Sequence, residues 1–313
     1  MVYHYRHNLG KSFVLDAFAI SPSLSQRELE TIVRLNQSNR LYKDDAARFT
    51  YFLGMIESID SLNFNIVPGT YEVPLQLQHY RDALEHDAKA KKMHNGPIAV
   101  VEGGFSINNP IRLIQGWYFD FLATNFKAIP HRLIPDKYPP GKTVEELFKN
   151  CGIPEDKRAR FFSVAYVVMA KDGKELSFVQ RAKNLGINAN CICSPGSTPS
   201  PILSETNFDM CRYFKQHVLE EMFEEYKMEE NEFRIGKLWV FDDEKEVPRI
   251  ATEIHTSLTT EELAIRNYNH EKAVKEHPIL YAIEIGAIPQ LLGKCCVLPP
   301  IAKIFKTVYQ DHI

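Results

Sequence analysis

Three carboxylates, Glu221, Glu224 and Glu225, stand three and four residues apart in the run Glu220-Glu221-Met222-Phe223-Glu224-Glu225-Tyr226-Lys227-Met228. On a helix that spacing brings them to one face, while Leu219, Met222, Phe223 and Tyr226 turn the other way. Like charges so placed repel by roughly 0.2–0.5 kcal/mol per pair. No Lys or Arg lies four residues from Glu221 or Glu225 to offset this. A hard divalent cation would, because Mg²⁺ and Mn²⁺ take carboxylate oxygen. The same residues also suit a surface helix with an acidic solvated face, and both readings stay open at this level.

Around this helix the residue pattern implies a set of positioning elements. Phe162 to Met169 is apolar and rich in aromatic and β-branched residues, as a buried strand would be. Lys171-Asp172-Gly173-Lys174 is a turn of Asp-Gly type, and Leu176 to Arg181 is its hairpin partner. Ile187 to Cys193 reads as a third strand, followed by the loop Ser194-Pro195-Gly196-Ser197-Thr198-Pro199-Ser200 and an acidic helix from about Glu205 to Met228. Strands at Glu232–Phe241 and Arg249–Ser257 come next, then a helix capped at Thr259-Thr260-Glu261-Glu262, a strand-like run Ile279–Ile285 and a helix near Ile301–Val308.

The N-terminal part reads as mixed and mostly helical over its first 95 or so residues. Ser25-Gln26-Arg27-Glu28 is a capping box before Leu29, Ile32, Val33 and Leu35. A second helix is expected over Tyr42–Leu62, around Phe49, Phe52, Leu53 and Ile56, and Glu85–Asn95 is expected as a linker or solvated helix end. Pro97–Val101 and Arg112–Thr124 look like strands, and Thr143-Val144-Glu145-Glu146 caps a short helix. The charged joint Glu155–Ala159 divides the chain into residues 1–155 and 156–313.

The bulk composition narrows the partners. In 313 residues, 44% hydrophobic and 25% charged, a formal net charge of −3 gives no field that would gather nucleic acid, which is disfavoured as a partner. No apolar run is long enough to span a membrane, and the start Met1-Val2-Tyr3-His4-Tyr5-Arg6-His7 lacks the apolar stretch of a signal peptide. Cys151, Cys191, Cys193, Cys211, Cys295 and Cys296 show no zinc-type Cys-x-x-Cys spacing, so free thiols in the cytoplasm are expected.

The acidic run resembles the end of the box G-x5-E-x7-R-E-U-x-E-E-x-G-U of Nudix hydrolases, where U is bulky and apolar. Glu221-Met222-Phe223-Glu224-Glu225 matches E-U-x-E-E and Met228 the closing apolar position. Phe178-Val179-Gln180-Arg181 is similar to the strand that precedes the box in such domains. Glu220 stands in place of the box Arg and Lys227 in place of its Gly; Arg212 and Thr206 occupy its early Glu and Gly positions, where Glu205 and Gly196 could serve if the loop is rebuilt. Gly116-Trp117-Tyr118-Phe119-Asp120-Phe121-Leu122 is more weakly similar to a segment found before the domain in extended Nudix proteins.

The resemblance implies an α+β fold: a Nudix-like α/β/α sandwich with a mixed sheet over residues 156–313, preceded by an N-terminal α/β extension. It also implies a magnesium- or manganese-dependent hydrolase cleaving a diphosphate linkage in a nucleotide or other small organic diphosphate. Glu221, Glu224 and Glu225, with Glu205 as a further candidate, would hold Mg²⁺ or Mn²⁺; Arg181, Gly196 and Ser197 would hold the substrate. A second, partial similarity is to isopentenyl-diphosphate isomerase, whose strand W-T-N-x-x-C-x-H-P places its catalytic Cys where Cys193 stands, although Pro195 occupies the His position. A domain that binds a ligand or protein after its box decayed is the remaining alternative, favoured by Glu220 and Lys227. Residues 1–155 would either cover the substrate pocket or form a homodimer. His217, one turn before Glu221, is a candidate ligand or proton donor, and Glu253 or Glu284 a candidate general base. Trp117 and Trp239 could stack on a base, with burial as the default.

Overall fold

The computed structural model describes residues 2–6, 12–15, 50–90, 94–125, 144–180, 192–203, 208–243, 248–268, 277, 279–287 and 303–307. The capping box at Ser25–Glu28, Arg181, the strand residues 187–191, Glu205 and the pair Cys295–Cys296 lie outside them.

The chain runs through β1 (Val2–Arg6), β2 (Ser12–Leu15), β3 (Thr50–Ile56), β4 (Phe64–Thr70), α1 (Leu75–Ala90), β5 (Pro97–Val101), β6 (Ile111–Trp117), α2 (Tyr118–Thr124) and α3 (Val144–Asn150). It continues with β7 (Arg160–Phe161), β8 (Ser163–Ala170), β9 (Glu175–Gln180), β10 (Ile192–Cys193), β11 (Gly196–Ser197), α4 (Met210–Tyr226), β12 (Phe233–Asp243), β13 (Arg249–Thr256), α5 (Thr260–Tyr268) and β14 (Ile279–Glu284). The fold is α+β. The larger sheet has the order β2-β1-β14-β9-β8-β13-β12-β3, with β10 beside β9 and β11 beside β8. It is mixed: β13 runs parallel to β8 while the other pairs are antiparallel. A smaller sheet, β4-β6-β5-β7, carries the second apolar cluster with α1, α2 and α3.

The central hairpin is a direct consequence of its turn. Lys171, Asp172 and Gly173 all adopt positive φ, as a tight reversal demands, and Val168–Ala170 pairs with Glu175–Ser177 across it. Every residue of β8 is buried, which explains its unbroken apolar run.

Two expectations fail in the N-terminal part. Residues 50–56, expected in a helix, form β3, which pairs with β12 at the sheet edge. Tyr51 and Phe52 are both exposed, so the apolar spacing there did not mark a buried helical face. Residues 118–124, expected to extend a strand, form α2. The break has a local cause: the Asp120 carboxylate accepts from the Trp117 N–H at 3.0 Å and holds the first turn. Phe119, Phe121, Leu122 and Ala123 are all buried, and a continuous apolar run of that kind fits either structure.

The acidic helix α4 packs through Met210, Phe214, Val218, Met222 and Tyr226, each one turn from the next and each buried. The Phe214 ring stacks on Phe162 at 5.7 Å. This stripe differs from the expected one, since Phe223 is 44% exposed under the Lys227 ammonium, 4.2 Å away. Asp209 caps the N-terminus by accepting from the Arg212 N–H. At the other end Lys227 takes the left-handed conformation, with φ 53° and ψ 36°. Its N–H reaches the Phe223 carbonyl and the Met228 N–H the Met222 carbonyl, the pattern in which Gly is usual. Lys227 therefore fills a glycine-type position with the same backbone geometry.

Arg266 of α5 donates to the Lys227 carbonyl and forms a two-pronged pair with Glu232. Those hydrogen bonds from Arg266 hold the Glu232 carboxyl down to about 2. Its stabilisation is thus present above the unfolded value of about 4.3 and disappears as pH falls toward 2. In acid titrations of unfolding free energy, Glu232→Gln is expected to flatten the profile between about pH 4.3 and pH 2, by no more than about 1 kcal/mol at this partly solvated site. An unchanged profile counts against the pair.

Candidate active site

The apolar stripe of α4 grades its three carboxylates from solvent to core. Glu224 is exposed, Glu221 is half-buried and Glu225 is 8% exposed. Glu225 is drawn inward because it adjoins Met222 and Tyr226 on the packed side. Its backbone carbonyl accepts from Asn267 Nδ2 at 2.9 Å, which pins this turn to α5. His277 Nε2 lies 3.4 Å from Glu225 Oε1, while Oε2 is buried with no hydrogen-bond partner among the described residues. Among the described residues, no group of three or more His, Cys, Asp or Glu side chains is already arranged around a metal position. An orphaned, deeply placed carboxylate oxygen nevertheless suits a hard cation, and Glu221 stands one turn away on the same helix.

Next to the carboxylates runs a line of polar side chains from three elements. Tyr166 of β8 places its hydroxyl 2.9 Å from Ser197 Oγ of β11, and Ser197 Oγ lies 2.7 Å from His217 Nε2 of α4. Tyr166 is fully buried, and burial, reinforced by Glu221, pushes its phenol well above the usual range. The phenol therefore stays protonated and shares a hydrogen bond with Ser197, which shares a second with His217 Nε2. Burial also lowers His217, against the opposing pull of Glu220 and Glu224, so that the imidazole is neutral near pH 7. Glu221 Oε1 is 3.9 Å from the same nitrogen, beyond hydrogen-bond reach. The Tyr213 ring stacks on His217, with centroids 6.0 Å apart and planes 9° apart, and its hydroxyl accepts from the Ser200 N–H. The loop after β11 is thus tied to α4 at two points.

The other candidate residues fall in several places. Gly196 lies where an added Cβ would stand 2.7 Å from the Val164 carbonyl, so its missing side chain lets β11 lie against β8. Cys193 is 3% exposed at the end of β10, inside the main core. Glu220 is exposed and accepts from Gln216. Glu253 is 1% exposed, accepting from Trp239 Nε1 at 3.0 Å and standing 3.1 Å from His255 Nε2. In register, Thr252 pairs with Tyr166 and Glu253 with Val167, so strand alternation turns Glu253 to the sheet face opposite the carboxylate helix. Glu284 is exposed. Trp239 is buried in this way, whereas Trp117 is 40% exposed and lines a cleft of about 770 Å³ with Tyr71, Arg81, Asp120 and Lys157. No helix of the described residues is long and apolar enough to cross a membrane.

Sequence reasoning named Ser197 and His217 separately but missed Tyr166, which bonds Ser197, and it missed His277. Tyr166 reads as one more aromatic residue in a buried strand. His277, between Glu276 and Pro278, gives no periodic signal.

No family model matches this sequence, and no curated protein matches it. Solved structures similar to part of the chain include the MutT protein of Methanosarcina mazei, at 19% identity and TM-score 0.31 over 48% of this chain and 94% of that one. Another is the NUDIX domain of Shewanella oneidensis NrtR complexed with ADP ribose, at 11% identity and TM-score 0.32 over 53% of this chain and 97% of that one. A third is a C. elegans Ap4A hydrolase binary complex, at 12% identity and TM-score 0.28 over 49% and 98%. What those proteins bind stays with them at such identities.

The polar line makes its own demand. Ser197→Ala strands the buried Tyr166 hydroxyl and is expected to cost about 1–3 kcal/mol in urea denaturation. Adding Tyr166→Phe should recover most of that loss, since both ends of the missing bond are then removed. A Ser197→Ala loss below about 0.5 kcal/mol, the range of uninvolved surface positions, contradicts the arrangement.

Proposed function

We propose that residues 156–313 carry a Nudix-type hydrolase site, in which Glu225 and Glu221, joined by Glu224 from the solvent side, hold Mg²⁺ or Mn²⁺ against a small organic diphosphate. The observation that supports this reading most is the Glu225 carboxylate, nine-tenths buried with one oxygen unpartnered among the described residues. A buried anion is costly unless it is paired or coordinates a cation. When bound, the cation would neutralise diphosphate charge and make a water more acidic.

The chain's own contribution is positioning. Burial keeps His217 neutral beside Glu221, while Ser197 and the stacked Tyr213 ring fix its position. A neutral imidazole leaves the acidic face without a competing internal cation. Ser197 is half-buried at the edge of this face, and its hydroxyl could turn to a phosphate oxygen. Arg181, Gly196 and Glu205 remain proposals from the resemblance; the division at residue 155, the homodimer and the cytoplasmic location remain proposals from the sequence. Burial of Cys193 inside the core gives no support to thiol chemistry of the isomerase kind.

A ligand-binding domain without turnover is the second reading. It is favoured by the dispersal of the carboxylates, since Glu224 points to solvent while Glu225 is buried.

Mn²⁺ titration and phosphate release across a panel of nucleoside and other organic diphosphates separate the two. Glu225→Gln is expected to abolish submillimolar Mn²⁺ binding and lower kcat by on the order of 100-fold or more, the scale of losing a metal's charge stabilisation. Binding that persists in Glu225→Gln removes the proposed site; binding without turnover of any diphosphate favours the second reading.

A further inference from the structure

We propose that His277 is a positioning residue for Glu225, holding Oε1 through its Nε2–H so that Oε2 is presented to the cation. The inference rests on the proposed metal site. Helix α4 itself supplies Glu225 with no cation one turn before it, where Glu221 occupies the i−4 position, and it ends at Tyr226, just past Glu225. The partner comes instead from the segment just before β14: His277 is 4% exposed and its Nε2 is 3.4 Å from Oε1. Only one of the two carboxylate oxygens is so engaged. Oε2 is equally buried and has no hydrogen-bond partner among the described residues.

This division of the two oxygens is what a carboxylate ligand requires. An N–H on one oxygen fixes the plane and rotamer of the group, and the other oxygen keeps its lone pairs free. If His277 served only to neutralise a structural carboxylate, the remaining oxygen would be expected to find a donor too, because buried acceptors are normally satisfied. Asn267, an amide of α5, bonds the Glu225 backbone carbonyl and so stays off the side chain.

The test compares two amides at this position in the full chain. His277→Gln places an N–H near the reach of Nε2, whereas the shorter His277→Asn does not. Calorimetric titration with Mn²⁺ alone is expected to show a Kd raised about 10- to 100-fold in His277→Asn, the usual effect of removing an outer-shell partner, with most of the affinity retained in His277→Gln. Melting temperatures without metal should fall by similar amounts in both, so a merely structural role would move the melting temperatures and neither Kd. His277→Leu replaces the Asn variant if the latter does not fold. Wild-type Mn²⁺ affinity in both variants, or equal weakening of both, overturns the inference. Absence of Mn²⁺ binding in the wild type instead overturns the metal site itself, and Glu225→Gln run alongside shows which has failed.

Discussion

The packing of one helix on one strand sets the terms for the rest of this molecule. Met210, Phe214, Val218, Met222 and Tyr226 bury a stripe of α4 in the main core, where Phe214 stacks on Phe162, the residue just before β8. Each such side chain contributes roughly 1.5–3 kcal/mol on burial, whereas an ionised carboxylate costs several kcal/mol to desolvate. The stripe as a whole outweighs one carboxylate, so Glu225 goes under with its neighbours. The contacts around its side chain respond to that placement. His277 approaches one oxygen, and the second has no hydrogen-bond partner among the described residues, a place a cation would suit.

The same packing explains how loop residues become part of the site. β11 is only two residues long, and Gly196 admits it against the β8 backbone. Ser197 then falls between a buried phenol below and the α4 imidazole above. Burial keeps the Tyr166 phenol protonated, and it shares a hydrogen bond with Ser197 Oγ in which either oxygen can donate. Protonation at the His217 end is governed by the burial of the imidazole itself. This is a short route from core packing to the chemistry of an exposed face.

Where the sequence was informative, the signal was local. The Lys171–Gly173 turn, the alternation and apolar runs of β9, β13 and β14, and the capped helices at Val144 and Thr260 are written in adjacent residues, and the larger sheet's central strands derive from them. Spacing also put Glu221, Glu224 and Glu225 on one helix. It could not tell how deep each would sit, since that depends on which stripe wins the contact with β8; Phe223 was expected inside and lies 44% exposed. β3 was misread because its partner strand lies far along the chain, and α2 because a local cap at Asp120 and distant packing act together on an apolar run that fits either structure. β3 is held by pairing with Asp243 back to Leu238, about 185 residues away, and α2 by the second core and by Arg81, whose Nε reaches Asp120. His277 was invisible for the same reason, as its meaning appears only when its side chain meets Glu225 of α4.

The two departures from the resembled pattern weigh differently once the geometry is known. Lys227 occupies the left-handed position that a Gly would take, and the backbone closure of α4 is intact, so this change costs local strain without altering the helix end. Glu220 is a change of another kind. It faces solvent and bonds Gln216, leaving no helix-borne cation beside Glu225. The positive edge near that carboxylate is supplied by His277 from another part of the chain. A rigid guanidinium offers a fork that can engage both oxygens at once, while a single imidazole N–H engages one. His277 stands against Oε1 and leaves Oε2 without a partner among the described residues. The placement of Glu225 is itself decided by the apolar residues around it.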